Sequence, residues 1–327
     1  MTYSAGGLIE ATDYNGFVST TSNANVNDIW GTGSTDKGYG QTALSTVSAG
    51  GTVTATQWAS LVNTISSIAS HQGTTITSRT APVAGNTITI LNNLNTDLTT
   101  LTTNRGNAAA SGTQYTAWTG TSSKTTNTGS GSTAWTITFT HTITFGSSLA
   151  ARYFFNAGGR IKWETSKTST GTESDDEWND LANTLVGDIF ITGGTGTQTI
   201  AGTAYTGTTK SGGTGTPTTL ATTTGWYDLT TSPVTIYKQF ADTAPYTGQY
   251  IQIDASINGS ATTLTLTTTW VDPGGSGAGS TDQITGGTAT SGISFGTAPA
   301  TVVTYFPPST TYLSQSWGVP TISATVS

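Results

Sequence analysis

Residues 132–148 read STAWTITFTHTITFGSS, and from Trp135 to Phe145 every residue between the apolar or histidine positions is threonine. A period of two marks a half-buried strand, with Trp135, Ile137, Phe139, His141, Ile143 and Phe145 on the inner face and threonine outside. Branched threonine suits a pleated surface, where its stiff side chain loses little. The same pattern returns downstream in GDIFITG (187–193), TQTIAGTAYTG (197–207), GWYDLTT (225–231), VTIYKQFA (234–241), YIQIDASINGS (250–260), TTLTLTTTWVD (262–272), TVVTYFP (301–307) and PTISATVS (320–327). Strands at this spacing, parted by Gly-rich and Asn-Gly turns, predict a mainly β chain. Residues 133–327 are expected to form an antiparallel, jelly-roll-like β-sandwich, with a distal module starting near residue 272.

Two further elements are expected inside this region. ARYFFNAGGRIKWE (151–164) predicts a strand with Tyr153 and Phe155 on one face and Phe154 on the other. A hairpin turn over Asn156–Gly159 would follow, then a strand alternating Arg160, Lys162 and Glu164 with Ile161 and Trp163. Farther on, Ser174 and Glu177 form an S-x-x-E capping box before a helical stripe of Trp178, Leu181, Ala182 and Leu185.

Upstream the period changes. Trp58, Leu61, Ile65 and Ile68 are spaced 3, 4, 3, with Thr56 as a candidate N-cap, and Leu91, Leu94, Leu98 and Leu101 repeat that spacing 33 residues later. Similar lead-ins, AGGTVTA (49–55) and AGNTITI (84–90), precede both, so residues 49–106 read as a duplicated helical collar. Helices this short need a partner for their apolar stripes, either each other within one chain or copies around a symmetry axis. Residues 107–132 are small and polar and read as a linker. Residues 1–48 scatter aromatics through Gly, Asn and Thr, which fits an extended N-terminal arm anchored on another subunit, or an irregular cap on the helices.

Composition limits the function classes. Charged residues are 8% of the 327, net charge is -7, and there is no cysteine. An ordinary soluble domain carries roughly 25% charged residues. The few scattered basic residues argue against a nucleic-acid partner. Absence of an apolar run of ~18 residues argues against membrane insertion. The N-terminus lacks the basic and apolar regions of a secretion signal, so the expected route is synthesis in a host cytoplasm.

No catalytic residue, cofactor or metal site is expected. The acidic run ESDDEWND (173–180) lacks the ligand spacing of an EF-hand, and its capping box accounts for it. Two histidines without cysteine make a poor zinc set. No G-x-S-x-G elbow is present, and the GGTGT segments at 193–197 and 212–216 lack the P-loop lysine. The functional candidates are therefore aromatics off the clear strand faces: Trp226, Tyr227, Tyr246, Tyr305, Phe306, Tyr312 and Trp317. Such rings stack on sugars or fill subunit contacts, as well as cores.

YFFNAGG (153–159) resembles a motif of virion structural proteins of tailed bacteriophages, especially marine and cyanobacterial phages. The resemblance extends to the duplicated AGGTVTATQW and AGNTITI segments, to Tyr115–Gly120, to TIAGTAYTGTTK (199–210) and to VTIYKQFADTAPYTGQYIQI (234–253), covering about residues 45–270. It implies a non-enzymatic tail-associated protein, a tail fibre or baseplate component that assembles with other virion proteins. A homo-oligomer, with a trimer favoured, contact with a host-surface glycan or receptor, and release by lysis would go with it. A head or neck fibre, a capsid decoration protein and a glycan depolymerase are the alternatives.

Overall fold

The computed structural model describes residues 10–19, 24–85, 93–121, 134–168, 173–194, 196–273 and 299–327. Its β part is two antiparallel sheets around a shared core. One sheet has six strands in the order β13 (Thr321–Val326), β2 (Trp135–Thr144), β11 (Thr263–Asp272), β10 (Tyr250–Ile257), β9 (Val234–Phe240) and β8 (Thr219–Leu220). The other has five, β1 (Tyr115–Thr121), β12 (Ala300–Phe306), β3 (Arg160–Ser166), β4 (Asp188–Ile191) and β7 (Thr208–Ser211). A separate hairpin pairs β5 (Thr197–Ile200) with β6 (Thr203–Thr206). The chain is thus mainly β with helices toward its N-terminus, as its sequence leads one to expect.

β2 shows how the pattern becomes packing. Its register with β11 sets Thr144 opposite Thr263, Thr142 opposite Thr265, Thr140 opposite Thr267 and Thr138 opposite Thr269, while Ile137, Phe139, His141 and Ile143 point into the core. Phe139 there lies 6.5 Å from Trp270 of β11, ring centre to ring centre. From the facing sheet come Ile161, Trp163, Ile189, Ile191 and Val303, all buried in the same cluster.

The helices are α1 (Ala11–Val18), α2 (Val26–Trp30), α3 (Ala55–Gln72), α4 (Leu94–Thr103), α5 (Ser148–Asn156) and α6 (Glu173–Asp180), the last running on as a π-helical turn over Leu181–Leu185. The N-cap of α3 lies two residues before the expected one: Thr54 and Gln57 form a T-x-x-Q capping box, satisfying two otherwise unpaired N–H groups. Trp58, Leu61, Ile65 and Ile68 of α3 and Leu94, Leu98 and Leu101 of α4 are buried in one core within one chain. Leu91 lies outside the described residues. Among these helices none is long and apolar enough to cross a membrane.

Several expectations are corrected. Residues 10–48 do not extend away as an arm where they are described. Tyr14 and Phe17 pack on Trp58 at 5.5 and 6.2 Å, and Tyr39 is buried, because isolated aromatics gain more by covering the apolar stripe of α3 than by facing water. This is the irregular cap. Part of the expected linker is strand β1, paired along β12, and Ala108 bridges to Ile200; residues 122–133 lie outside the described set. GWYDLTT holds a 3₁₀ turn at Trp226–Asp228 instead of a strand. No separate module follows residue 272 in the described part, since β12 and β13 each join one of the two main sheets.

The loop after α3 is tied to α4 by an ion pair, Arg79 Nη2 to Asp97 Oδ2 at 2.5 Å, with side chains only 5% and 9% exposed. Asp97 Oδ1 also accepts from the Thr77 N–H and hydroxyl. Removing one partner leaves a buried charge uncompensated, so Arg79→Ala is expected to cost about 3–5 kcal/mol in urea unfolding, whereas Arg79→Met with Asp97→Leu should recover most of it. Equal losses in the single and double variants would show that the charges are not coupled.

Candidate functional site

YFFNAGG is where the structure departs most from the sequence reading. Residues 151–156 are not a strand. They complete α5, whose N-cap Ser147 accepts from Ala150 N–H at 3.0 Å. Asn156–Gly159 is accordingly no hairpin turn but the end of that helix. Within it only Gly158 has positive φ, at 91°, and a Cβ there would stand 2.7 Å from Ala108. At Gly159 a Cβ would meet the Phe154 carbonyl at 2.5 Å, so the pair of glycines lets the chain fold back tightly into β3.

Phe154 and Phe155 are fully buried and Tyr153 nearly so. Phe155 stacks on Trp226 at 5.1 Å and 21°, and meets Phe154 edge-on at 5.0 Å. Phe145, at the end of β2, touches all three rings at 5.3–5.8 Å. This aromatic knot joins both sheets to α5.

Beside it lies a polar seam. Asn156 donates to the Gly38 carbonyl at 3.0 Å and accepts from the Tyr227 hydroxyl at 2.5 Å. Burial, more than its neighbours, pushes the Tyr227 hydroxyl pKa well up, so it stays a donor. Arg152 donates to the carbonyls of Thr32, Thr35 and Lys37, each at 3.0 Å. Arg105 pairs with Asp36; burial alone would raise that carboxyl, but Arg105 holds it below its ordinary range. Tyr39 donates to the Arg105 carbonyl at 2.7 Å and accepts from Gln72. A polar cavity of about 20 Å³, lined by Asp36, Arg105, Asn107, Asn156, Gln198 and Tyr227 among others, has room for about one water. Arg152, Asn156, Arg105 and Gln72 among these groups fasten residues 32–39 to the body. None is arranged around a space that could hold a substrate.

The aromatics expected at a surface are mostly inside. Trp226, Tyr305 and Trp317 are at most 3% exposed and Tyr246 is 8% exposed, because large rings gain more from the core than from water. Tyr227 and Phe306 are half-buried, and Tyr312 alone of the seven is exposed, at 46%. Phe306 covers Arg160, whose guanidinium carbon lies 4.5 Å from its ring centre, 5.1 Å from Tyr205 and 6.0 Å from Phe190. Arg160 was expected on the polar face of β3; it is instead a buried cation held by ring faces.

The chemistry these groups can perform is limited. His141 Nε2 lies 3.2 Å from the Thr301 hydroxyl, but both residues are sealed between the sheets at 0% exposure. His71 Nε2 lies 3.1 Å from the Ala157 carbonyl, also buried. Burial lowers both histidine pKa values to about 4, which keeps them neutral near pH 7. No family model, curated protein or solved structure matches this chain.

One further cluster combines distant residues: among those described, Glu177, Asp180 and Asp242 form the sole set of three or more ligand-type side chains within reach of one ion. The capping role read for Ser174 and Glu177 is not what Glu177 performs. α6 already includes Glu173, which puts Ser174 inside the helix, and Glu177 instead meets the β9–β10 loop, where the Thr243 hydroxyl donates to Asp242 Oδ1 at 3.3 Å. ESDDEWND displayed two of the three carboxylates; Asp242, on the loop between β9 and β10, gave no sequence signal linking it to them.

Proposed function

We propose that this chain is a non-enzymatic structural protein of a tailed-bacteriophage virion, a tail-fibre or baseplate-associated component that works through assembly and contact with the host surface. The observation that carries the reading is the outward face of the six-stranded sheet. Thr136, Thr138, Thr140, Thr142 and Thr144 of β2 lie beside Thr263, Thr265, Thr267 and Thr269 of β11, with no ionisable side chain on that face of either strand. Hydroxyl groups can exchange water for a neighbouring subunit or a sugar without desolvating a charge, which favours broad contact over chemistry at a point. The burial of both histidines supports the same reading. The resemblance in YFFNAGG supplies the phage setting.

The helical seam is no longer a reason for a trimer, since α3 and α4 satisfy each other inside one chain. Antibodies raised against residues 115–327 should label intact virions at the tail or baseplate in electron micrographs. Label on the head or collar would replace this reading with a decoration or neck protein, and release of sugars from host envelope by the purified chain would replace it with a depolymerase.

A further inference from the structure

Glu177 and Asp180 stand three residues apart in α6, which sets them on one face of the helix. Asp242 reaches that face from the loop after β9. One carboxylate oxygen from each lies within 4.8 Å of the other two. Three like charges at that range repel strongly unless a proton or a cation joins them.

Glu177 makes this more than an acidic patch. It is 94% buried (6% exposed), and its Oε1 has no hydrogen-bond partner although it is closed off from water. A carboxylate oxygen sealed in this way is costly when left without a donor or a cation. The cluster is graded outward, from buried Glu177 through half-buried Asp180 to exposed Asp242, so an ion would have a path in and room for water on its outer side.

We propose that Glu177, Asp180 and Asp242 bind one divalent cation, with Ca²⁺ as the best chemical match. All three donors are hard oxygens, which excludes a preference for softer metals. Irregular carboxylates with one solvent-facing side suit the loose six- to eight-fold shell of Ca²⁺ better than the strict octahedron of Mg²⁺. The ion would staple the β9–β10 loop to α6.

The neighbouring rings provide a reporter. Trp178 follows Glu177 in α6, stacks on Trp270 at 5.3 Å and 20°, and lies 5.0 Å from Trp135. Terbium titrated into the full chain, with excitation of tryptophan, is expected to give saturable sensitised emission at one ion per chain that Ca²⁺ displaces. Ca²⁺ alone should raise the Tm progressively with concentration, as binding to the folded state requires. Asp242→Asn, on the exposed loop, should fold normally and weaken Ca²⁺ at least tenfold; Glu177→Gln should do the same if it folds. Emission and Tm shifts equal in the wild type and in Asp242→Asn would overturn the site. So would a wild type with no Ca²⁺ response, and in that case a higher Tm for Glu177→Gln would assign a shared proton to the three carboxylates.

Discussion

Phe155→Ala is expected to lower the unfolding free energy by about 3–5 kcal/mol, the range for truncating a fully buried aromatic. Phe155 is 0% exposed and lies between the stacked indole of Trp226 and the edges of Phe154 and Phe145. Those rings belong to α5, to the end of β2 and to the 3₁₀ turn before β9, and Phe154 also lies 6.4 Å from Tyr305 of β12 in the other sheet, so they cannot collapse into the space without moving both sheets. Phe155→Leu keeps most of the volume and should cost about half as much or less. Denaturant titrations of the three proteins, compared at equal m-value, test this. A loss below about 1 kcal/mol for the alanine variant would mean that the ring is not packed as described.

Acid should destabilise the chain through its two histidines. His71 and His141 have pKa values lowered to about 4 by burial, partly offset by the Ala157 carbonyl and by Thr301. The unfolded chain takes up these protons near the ordinary value of about 6.5, and the folded chain refuses them until about pH 4. Their contribution is therefore complete above about pH 6.5 and drains as pH falls toward 4, by up to about 3 kcal/mol for each histidine. Asp36, held low by Arg105, acts in the same direction at lower pH, whereas the raised carboxyls of Glu177 and Asp188 act oppositely. Unfolding measured at pH 7.5, 6, 5 and 4.5 should show the decline, and His71→Gln and His141→Gln should each flatten it. A wild-type stability constant from pH 7 to 5 would sink this account.

How much of this could be read in advance depended on whether a segment kept a dry side and a wet side. β2 did, so its strand and inward face were legible down to the residue, and α3 was legible from Trp58, Leu61, Ile65 and Ile68. α5 was not: Tyr153, Phe154, Phe155 and Asn156 are four buried residues in a row, so its last turn shows no exposed position to display a helical period. The usable signals were Ser147 at its N-cap and Gly158 after its end. The site residues were harder still. Asp36 and Arg105 are 69 positions apart, and Asp242 meets Glu177 only after four strands and a hairpin have been placed. Sequence shows that such charges exist; only the fold decides which ones meet. Four of the seven aromatics, Trp226, Tyr246, Tyr305 and Trp317, lie inside for a related reason, since an isolated aromatic looks the same in sequence whether it caps a core or faces solvent.

The docking of residues 39–41 also affects how the molecule is made. Gln41 exchanges two hydrogen bonds with Ser314, each of 2.8 Å, and the Ser316 hydroxyl donates to the Tyr39 carbonyl at 2.6 Å, across separations of 273 and 277 residues. During synthesis the segment around Gln41 waits for 273 further residues before Ser314 leaves the ribosome. Such distant pairing slows folding, because loop closure precedes the contacts that reward it. A ribosome that stops short of Ser314 thus releases a chain in which Tyr39 and Gln41 have never been latched.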